Sequence, residues 1–178
     1  MKELSLHILD IVKNSVAADA DHVWITLTED ASHVLTVVIK DDGKGMNEEL
    51  LASVIDPFTT TRTTRKVGMG IPLYRMAAEQ TGGSLSIESF EGEGTTVTAV
   101  FHTDHVDCAP MGDLAGTMAL LIQGSPWVDF ELERTTPKGF YFFCTEEIRD
   151  QLGHEVPLDE PEVYLWLDDY LRDLESVV

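Results

Sequence analysis

Cysteine is scarce in this chain: Cys108 and Cys144 are the two among 178 residues, with no CxxC spacing and no neighbouring histidine cluster. Neither a zinc site nor an iron–sulfur site is suggested. No run approaches the roughly 20 apolar residues that span a bilayer, and Met1-Lys2-Glu3 opens directly into an amphipathic pattern with no signal-peptide core. A cytoplasmic protein without a membrane partner is expected. Basic residues are also few, 12 Lys and Arg against 32 Asp and Glu, for a formal net charge of -20. Residues 1–102 hold 8 basic and 15 acidic side chains and the remainder 4 and 17, so the two parts carry -7 and -13. A field of that sign repels nucleic acid, which is a poor partner here, although acidity also serves solubility alone.

What is present is ordinary globular composition, 43% hydrophobic and 25% charged, which argues against disorder. Leu4, Ile8, Ile11, Val12 and Val16 recur at helical spacing and predict a helix over residues 2–18. Residues 23–28 and 34–40 alternate or run β-branched across a hairpin-length loop, predicting two antiparallel strands. Asn47 is placed to cap a short helix reaching about residue 54. Residues 56–70 have no periodicity and hold five threonines, as a mobile loop does. A helix with Pro72 in its first turn and Gly82-Gly83 at its stop follows, then strands at 85–90 and 95–101. The whole predicts an α/β fold, an α+β two-layer sandwich of a mixed sheet with helices on one face.

The strand pattern stops near His102, and Pro110-Met111-Gly112 marks a boundary between a domain at 1–103 and a small acidic α+β region at 110–178. That region is expected to contain a helix at 114–122, strands at 127–134 and 140–144, and a last helix opened by an Asp159-x-x-Glu162 capping box. Val163, Trp166, Leu167, Tyr170, Leu171 and Leu174 form an apolar stripe along that helix. Such a stripe must be covered by the chain itself, by a second copy in a homodimer, or by a partner.

Three clusters carry candidate chemistry. Asp10 and Asn14 are one helical turn apart, on a different face from Ile8, Ile11 and Val12. Their oxygens suit magnesium with nucleotide phosphates, a carboxylate one turn away orienting a water, though solvated surface looks the same in isolation. Asp41-x-Gly43-x-Gly45 follows a predicted strand, where a buried carboxylate accepts from an exocyclic amine and glycines admit a planar ring; an Asx turn is the plain alternative. Arg62, Arg65 and Lys66 gather three of the twelve basic residues within five positions, beside Gly68-Met69-Gly70 and a helix start. Glycine amides at a helix N-terminus with flanking cations make an anion site, or else a solvated basic loop. There is no GxxxxGK[ST] and no GxGxxG, so the common phosphate-binding loops are excluded.

Order joins these clusters. The segment from Leu9-Asp10 through Asn14 to Asp19-Ala20 resembles the N box of the GHKL superfamily, in its mismatch-repair version, and Asp41 to Gly45 resembles the G1 box. Asp56-Pro57-Phe58-Thr59-Thr60-Thr61-Arg62 resembles the F box and ATP-lid start of histidine kinases, Gly68-Met69-Gly70-Ile71-Pro72-Leu73 the G2 box, and Gly94-Thr95-Thr96-Val97 the final GTT segment. The resemblance covers residues 3 to about 102 and implies a Bergerat-type ATP site in which Asn14 ligates magnesium and Asp41 reads the adenine amino group. It further implies that Gly43, Gly45, Gly68 and Gly70 allow close approach to nucleotide, that Met46, Phe58 and Met69 line the pocket, and that Thr95 or Thr96 supports adenine through water. Asp10, Arg62, Arg65 and Lys66 would be the catalytic set.

Two departures qualify that implication: Asp10 stands where hydrolysing relatives carry Glu, and Ala17 lacks a polar group that some relatives have. The first side chain is shorter by a methylene, about 1.5 Å, which bears on hydrolysis more than on binding. His7 lies within the first helix and is read as structural rather than as a phosphoacceptor, and no helical hairpin precedes that helix in the sequence. A stand-alone protein resembling anti-sigma kinases is therefore expected, phosphorylating a partner in trans or acting as a nucleotide-gated binding module. Similar domains with acidic tails also accompany redox or hydrogenase proteins in anaerobes, a further partner class that the resemblance implies.

Overall fold

The computed structural model describes residues 2–55 and 70–178. Phe58, Arg62, Arg65, Lys66, Gly68 and Met69, with the expected mobile loop, lie outside the described residues.

The amphipathic first segment forms α1 (Leu4–Ala17), with Leu4, Ile8, Ile11 and Val12 buried. Glu3 precedes it without a side-chain cap; instead the Leu4 and Ser5 amides donate to the carbonyls of Pro110 and Met111, both at 2.9 Å. The start of the helix is thus tied to the segment at which the sequence pattern changes. β1 (His22–Glu29) and β2 (Val34–Asp41) form the expected hairpin. Its turn is fixed by the Asp30 carboxylate, which accepts from the Ser32 and Val34 amides at 2.9 and 3.1 Å. Asn47 caps α2 (Glu48–Ile55) by accepting from the Leu50 amide at 2.8 Å. α3 (Gly70–Gln80) holds Pro72 in its first turn, where no amide is needed, and leads into β3 (Ser84–Phe90) and β4 (Gly94–His102).

The acidic remainder folds as α4 (Leu114–Gly124), β5 (Asp129–Thr136), β6 (Gly139–Cys144), α5 (Thr145–Leu152) and α6 (Pro161–Glu175). Its strands do not make a sheet of their own. The order is β3-β4-β2-β1-β5-β6, one six-stranded sheet in which β5 runs parallel to β1 and every other pair is antiparallel. Alternation explains the two faces: Val23, Ile25 and Leu27 of β1, Leu35, Val37 and Ile39 of β2, and Phe130 and Leu132 of β5 are buried in one continuous core. Helices α1, α3, α4 and α6 pack side by side over that face, α1 between α3 and α4, and α6 against α4.

Three expectations change on contact with the structure. The Asp159-x-x-Glu162 capping box does not form: Glu160 is the cap residue without a side-chain bond and Pro161 opens the helix. α5 was not expected, because its sequence TEEIRDQL buries only Thr145 and Ile148 and so leaves almost no apolar period. In the α6 stripe, Val163, Leu167 and Leu171 are buried in the same core, whereas Trp166 is 39% exposed. The stripe is covered within the chain by α4, the first of the three alternatives for it.

Asp113 fastens this arrangement by capping α4 through the Gly116 amide at 2.9 Å while accepting a forked pair from Arg172 of α6 at 3.0 and 3.1 Å. The Arg172 hydrogen bonds, and then the Gly116 amide, hold the Asp113 carboxyl below the usual aspartate range. A folded-state pKa below the unfolded one contributes stability that is present above the unfolded value of about 3.9 and lost as pH falls through the folded one. Thermal melts of Asp113→Asn, which keeps a cap but not the charge, should therefore lie below wild type at neutral pH and converge with it in acid.

Candidate functional site

Asp41 ends β2 on the core face, and at 6% exposure its carboxylate needs partners. Among the described residues it has three: the Ser15 hydroxyl of α1 donates to Oδ2 at 2.6 Å, and the amides of Gly43 and Thr95 donate to Oδ1 at 2.9 and 3.3 Å. A carboxylate has about four lone-pair sites, so the described residues leave one acceptor position on Oδ2. Helix α1, strand β2, the loop after it and strand β4 all converge on this one group.

The loop is fixed as tightly as its carboxylate. Lys44 donates its amide to the Ala18 carbonyl at 2.9 Å, and the Met46 amide donates to Ser89 Oγ at 2.8 Å. Gly45 has φ +67°, and an added Cβ there would lie 2.1 Å from the Phe90 carbonyl oxygen. At Gly43 the nearest atom would be the Ala18 carbonyl oxygen, at 2.7 Å. These two glycines make their close approaches to the chain's own backbone. Gly70 is different: a Cβ there would sit 3.3 Å from Cβ of Asp10 and 4.0 Å from Nδ2 of Asn14. The N-terminus of α3 therefore faces the polar side of α1, bringing Asp10, Asn14 and Gly70 together.

Register separates the two threonines. Thr95 is opposite both Asp41 and Ser89, and its hydroxyl is 2.7 Å from Ser89 Oγ. Thr96 is opposite Lys40 and Glu88, on the other face of the sheet. The structure thus gathers Asp41, Gly43, Gly45, Met46 and Thr95 at one end, and Asp10, Asn14 and Gly70 along α1, and leaves Thr96 out.

Three residues join the site without having been singled out. Ser15 falls on the core face of α1, one helical turn after Ile11 and Val12, and a small polar residue following that apolar spacing was the available signal. Ser89 is buried on β3 with no such pattern around it. Lys2, just before α1, forms an ion pair with Asp10 within it, eight positions on, a contact that sequence spacing does not reveal. His7 is a core residue, 4% exposed, with its ring 5.4 Å from that of Tyr74. Burial and the Lys2 ammonium pull its pKa below the ordinary histidine value, with Asp10 opposing.

The comparisons bear on the family and the fold. Residues 2–105 match the family described as histidine kinase-, DNA gyrase B- and HSP90-like ATPase, and the chain belongs to that family. Sporulation kinase E of Bacillus subtilis is 35% identical over 97 residues, which are 53% of this chain and 12% of that protein. The sensor histidine kinase ZraS of Escherichia coli K12 is 29% identical over 92 residues, covering 51% and 20%. The tetrathionate sensor histidine kinase TtrS of Salmonella typhimurium is 30% identical over 112 residues, covering 61% and 18%. This chain thus spans a fifth or less of the length of these relatives. A solved structure, the N terminal domain of a DNA repair protein, shares the fold with a TM-score of 0.55 over 81% of this chain and 52% of that one, at 14% identity. Among the described residues no helix is long and apolar enough to cross a membrane.

Ser15→Ala removes a hydrogen bond to a buried carboxylate, at a cost of about 1–3 kcal/mol. Urea melts should show that loss. Stability equal to wild type would mean that Asp41 does not depend on the helix.

Proposed function

We propose that this chain binds magnesium-ATP at the site around Asp41 and acts as a regulatory kinase or ATPase on a partner protein in trans. The observation that carries the reading is the acceptor position left on the Asp41 carboxylate after Ser15, Gly43 and Thr95 have taken theirs. An adenine amino group is a donor of the right kind, and a desolvated site makes the match selective. Asn14 would ligate magnesium through its carbonyl oxygen, with phosphates and water completing the shell. Gly70 and the start of α3 would face the phosphates, where helix amides favour negative charge. The bound nucleotide would supply a phosphoryl group whose developing charge needs cations. Arg62, Arg65 and Lys66 are the proposed source, and Phe58, Gly68 and Met69 the proposed remainder of the pocket. Because His7 is buried in α1, the phosphoacceptor is proposed to be on another protein.

The Lys2–Asp10 pair favours a second reading, a nucleotide-gated binding module without turnover. A carboxylate engaged by an ammonium has fewer lone pairs free to orient a water, and this one is already a methylene shorter than Glu. Incubation with labelled ATP and magnesium, with and without cell extract, separates the two. Phosphate release or a labelled acceptor supports the kinase or ATPase; bound ATP with neither supports the module.

Calorimetric titration tests the shared premise. Asp41→Ala should weaken ATP by at least about tenfold, and Asn14→Ala should abolish the magnesium-dependent part of the affinity while changing metal-free binding little. Wild-type affinity in a folded Asp41→Ala protein would remove the adenine assignment, and unchanged magnesium dependence in Asn14→Ala would remove the metal assignment.

A further inference from the structure

The two edges of the sheet are built differently. On β3 the outward residues Ser84, Ser86 and Glu88 are exposed, small polar groups and a charge of the kind that protects an edge strand, and the one outward aromatic, Phe90, stands at the strand's last position. β6 has no such protection. Its sequence Gly-Phe-Tyr-Phe-Phe-Cys holds no proline and no charge, and Phe140 and Phe142 are 54% and 40% exposed. It pairs with β5 on one side, and residues 139–144 make no other backbone hydrogen bond among the described residues.

Helix α6 walls this edge on the core side. Tyr170 lies 6.2 Å from the Phe143 ring and Trp166 stacks on Tyr170 at 5.2 Å. The unpaired backbone therefore runs between two phenylalanines on the open face and a partly exposed tryptophan on the other. Acidic groups predominate around it: Glu133 is opposite Phe142 and Glu131 opposite Cys144 on β5, and Asp169 and Asp173 are exposed on α6. Arg134 is paired with Glu175, Arg172 with Asp113 and Asp168, and Lys138 is an exposed cation in the turn before the strand. A second copy would set two regions of net charge -13 against each other. A cationic strand would instead be attracted, with its aliphatic stems lying over the aromatic rings.

We propose that the β6 edge is a docking site for an extended segment of a partner protein carrying lysine or arginine at alternate positions, which adds to the sheet as a seventh strand. Backbone hydrogen bonds supply the affinity in this mode, and the alternate side chains supply the selection. The site is separate from the nucleotide site and does not depend on the function proposed for it.

The test uses the full chain and a synthetic peptide of alternating lysine and valine. The same peptide N-methylated on alternate residues keeps its charge and cannot pair along one edge, and a glutamate–valine peptide reverses the charge. The lysine–valine peptide should slow amide exchange at residues 139–144 and bind at least about tenfold more tightly than either control. The double substitution Phe140→Ser and Phe142→Ser, at exposed positions, should weaken it by a similar factor in a chain whose melt is unchanged. Equal binding of the N-methylated peptide would reduce the attraction to charge alone and overturn the proposal. So would protection elsewhere in the chain, or none. Self-association of the peptide-free chain with protection at 139–144 would assign the edge to a second copy and overturn it equally.

Discussion

A carboxylate taken out of water is tolerable only where donors replace its hydration, and the Asp41 donors come from three separate elements. Ser15 comes from α1, Gly43 from the loop after β2, and Thr95 from β4. Removing water from Asp41 therefore requires the helix layer, the loop and the sheet to be in register together. The same convergence leaves Asn14, one position before Ser15 on α1, and Asp10, one turn earlier, facing the start of α3. The geometry of the proposed metal side is in this sense set by the constraint that satisfies the adenine side.

α1 is also an element that touches both the acidic region and the site. Its first amides are bonded by Pro110 and Met111, its flank packs on α4, and α4 is held by α6 through Asp113 and Arg172. Because β5 pairs directly with β1, the region continues the sheet. A helix gripped from behind by one region and bearing functional groups in front is a short physical path between them. A partner at the β6 edge would act on the far end of that same sheet.

Most of the fold was legible because the local signals agree with one another. Alternation in β1 and β2, the Asn47 cap, Pro72 and Gly82-Gly83 each mark an element that the structure contains. Legibility failed where the deciding contact is non-local. TEEIRDQL forms α5 with little apolar period of its own, and its Arg149 is bonded to Asp129 and the Pro126 carbonyl. Trp166 reads as part of a buried stripe from spacing alone, yet it stacks outward on Tyr170. At the site, Asp10, Asn14 and Asp41 stood out by residue type and order. Lys2 and Ser89 did not, since an ion pair across eight positions and a hydroxyl relay between neighbouring strands leave no periodic trace.

The central claim is that Asp41 selects adenine by accepting from its exocyclic amine. Inosine triphosphate carries a carbonyl oxygen in place of that amine, with a hydrogen on the neighbouring ring nitrogen, and so sets an acceptor against the Asp41 acceptor in a desolvated site. Titration of the wild-type chain with magnesium-ATP and magnesium-ITP tests this edge of the base. The account predicts that ITP binds at least about tenfold more weakly, the loss expected when a buried polar group is left unpaired. Equal affinities for the two nucleotides would contradict it.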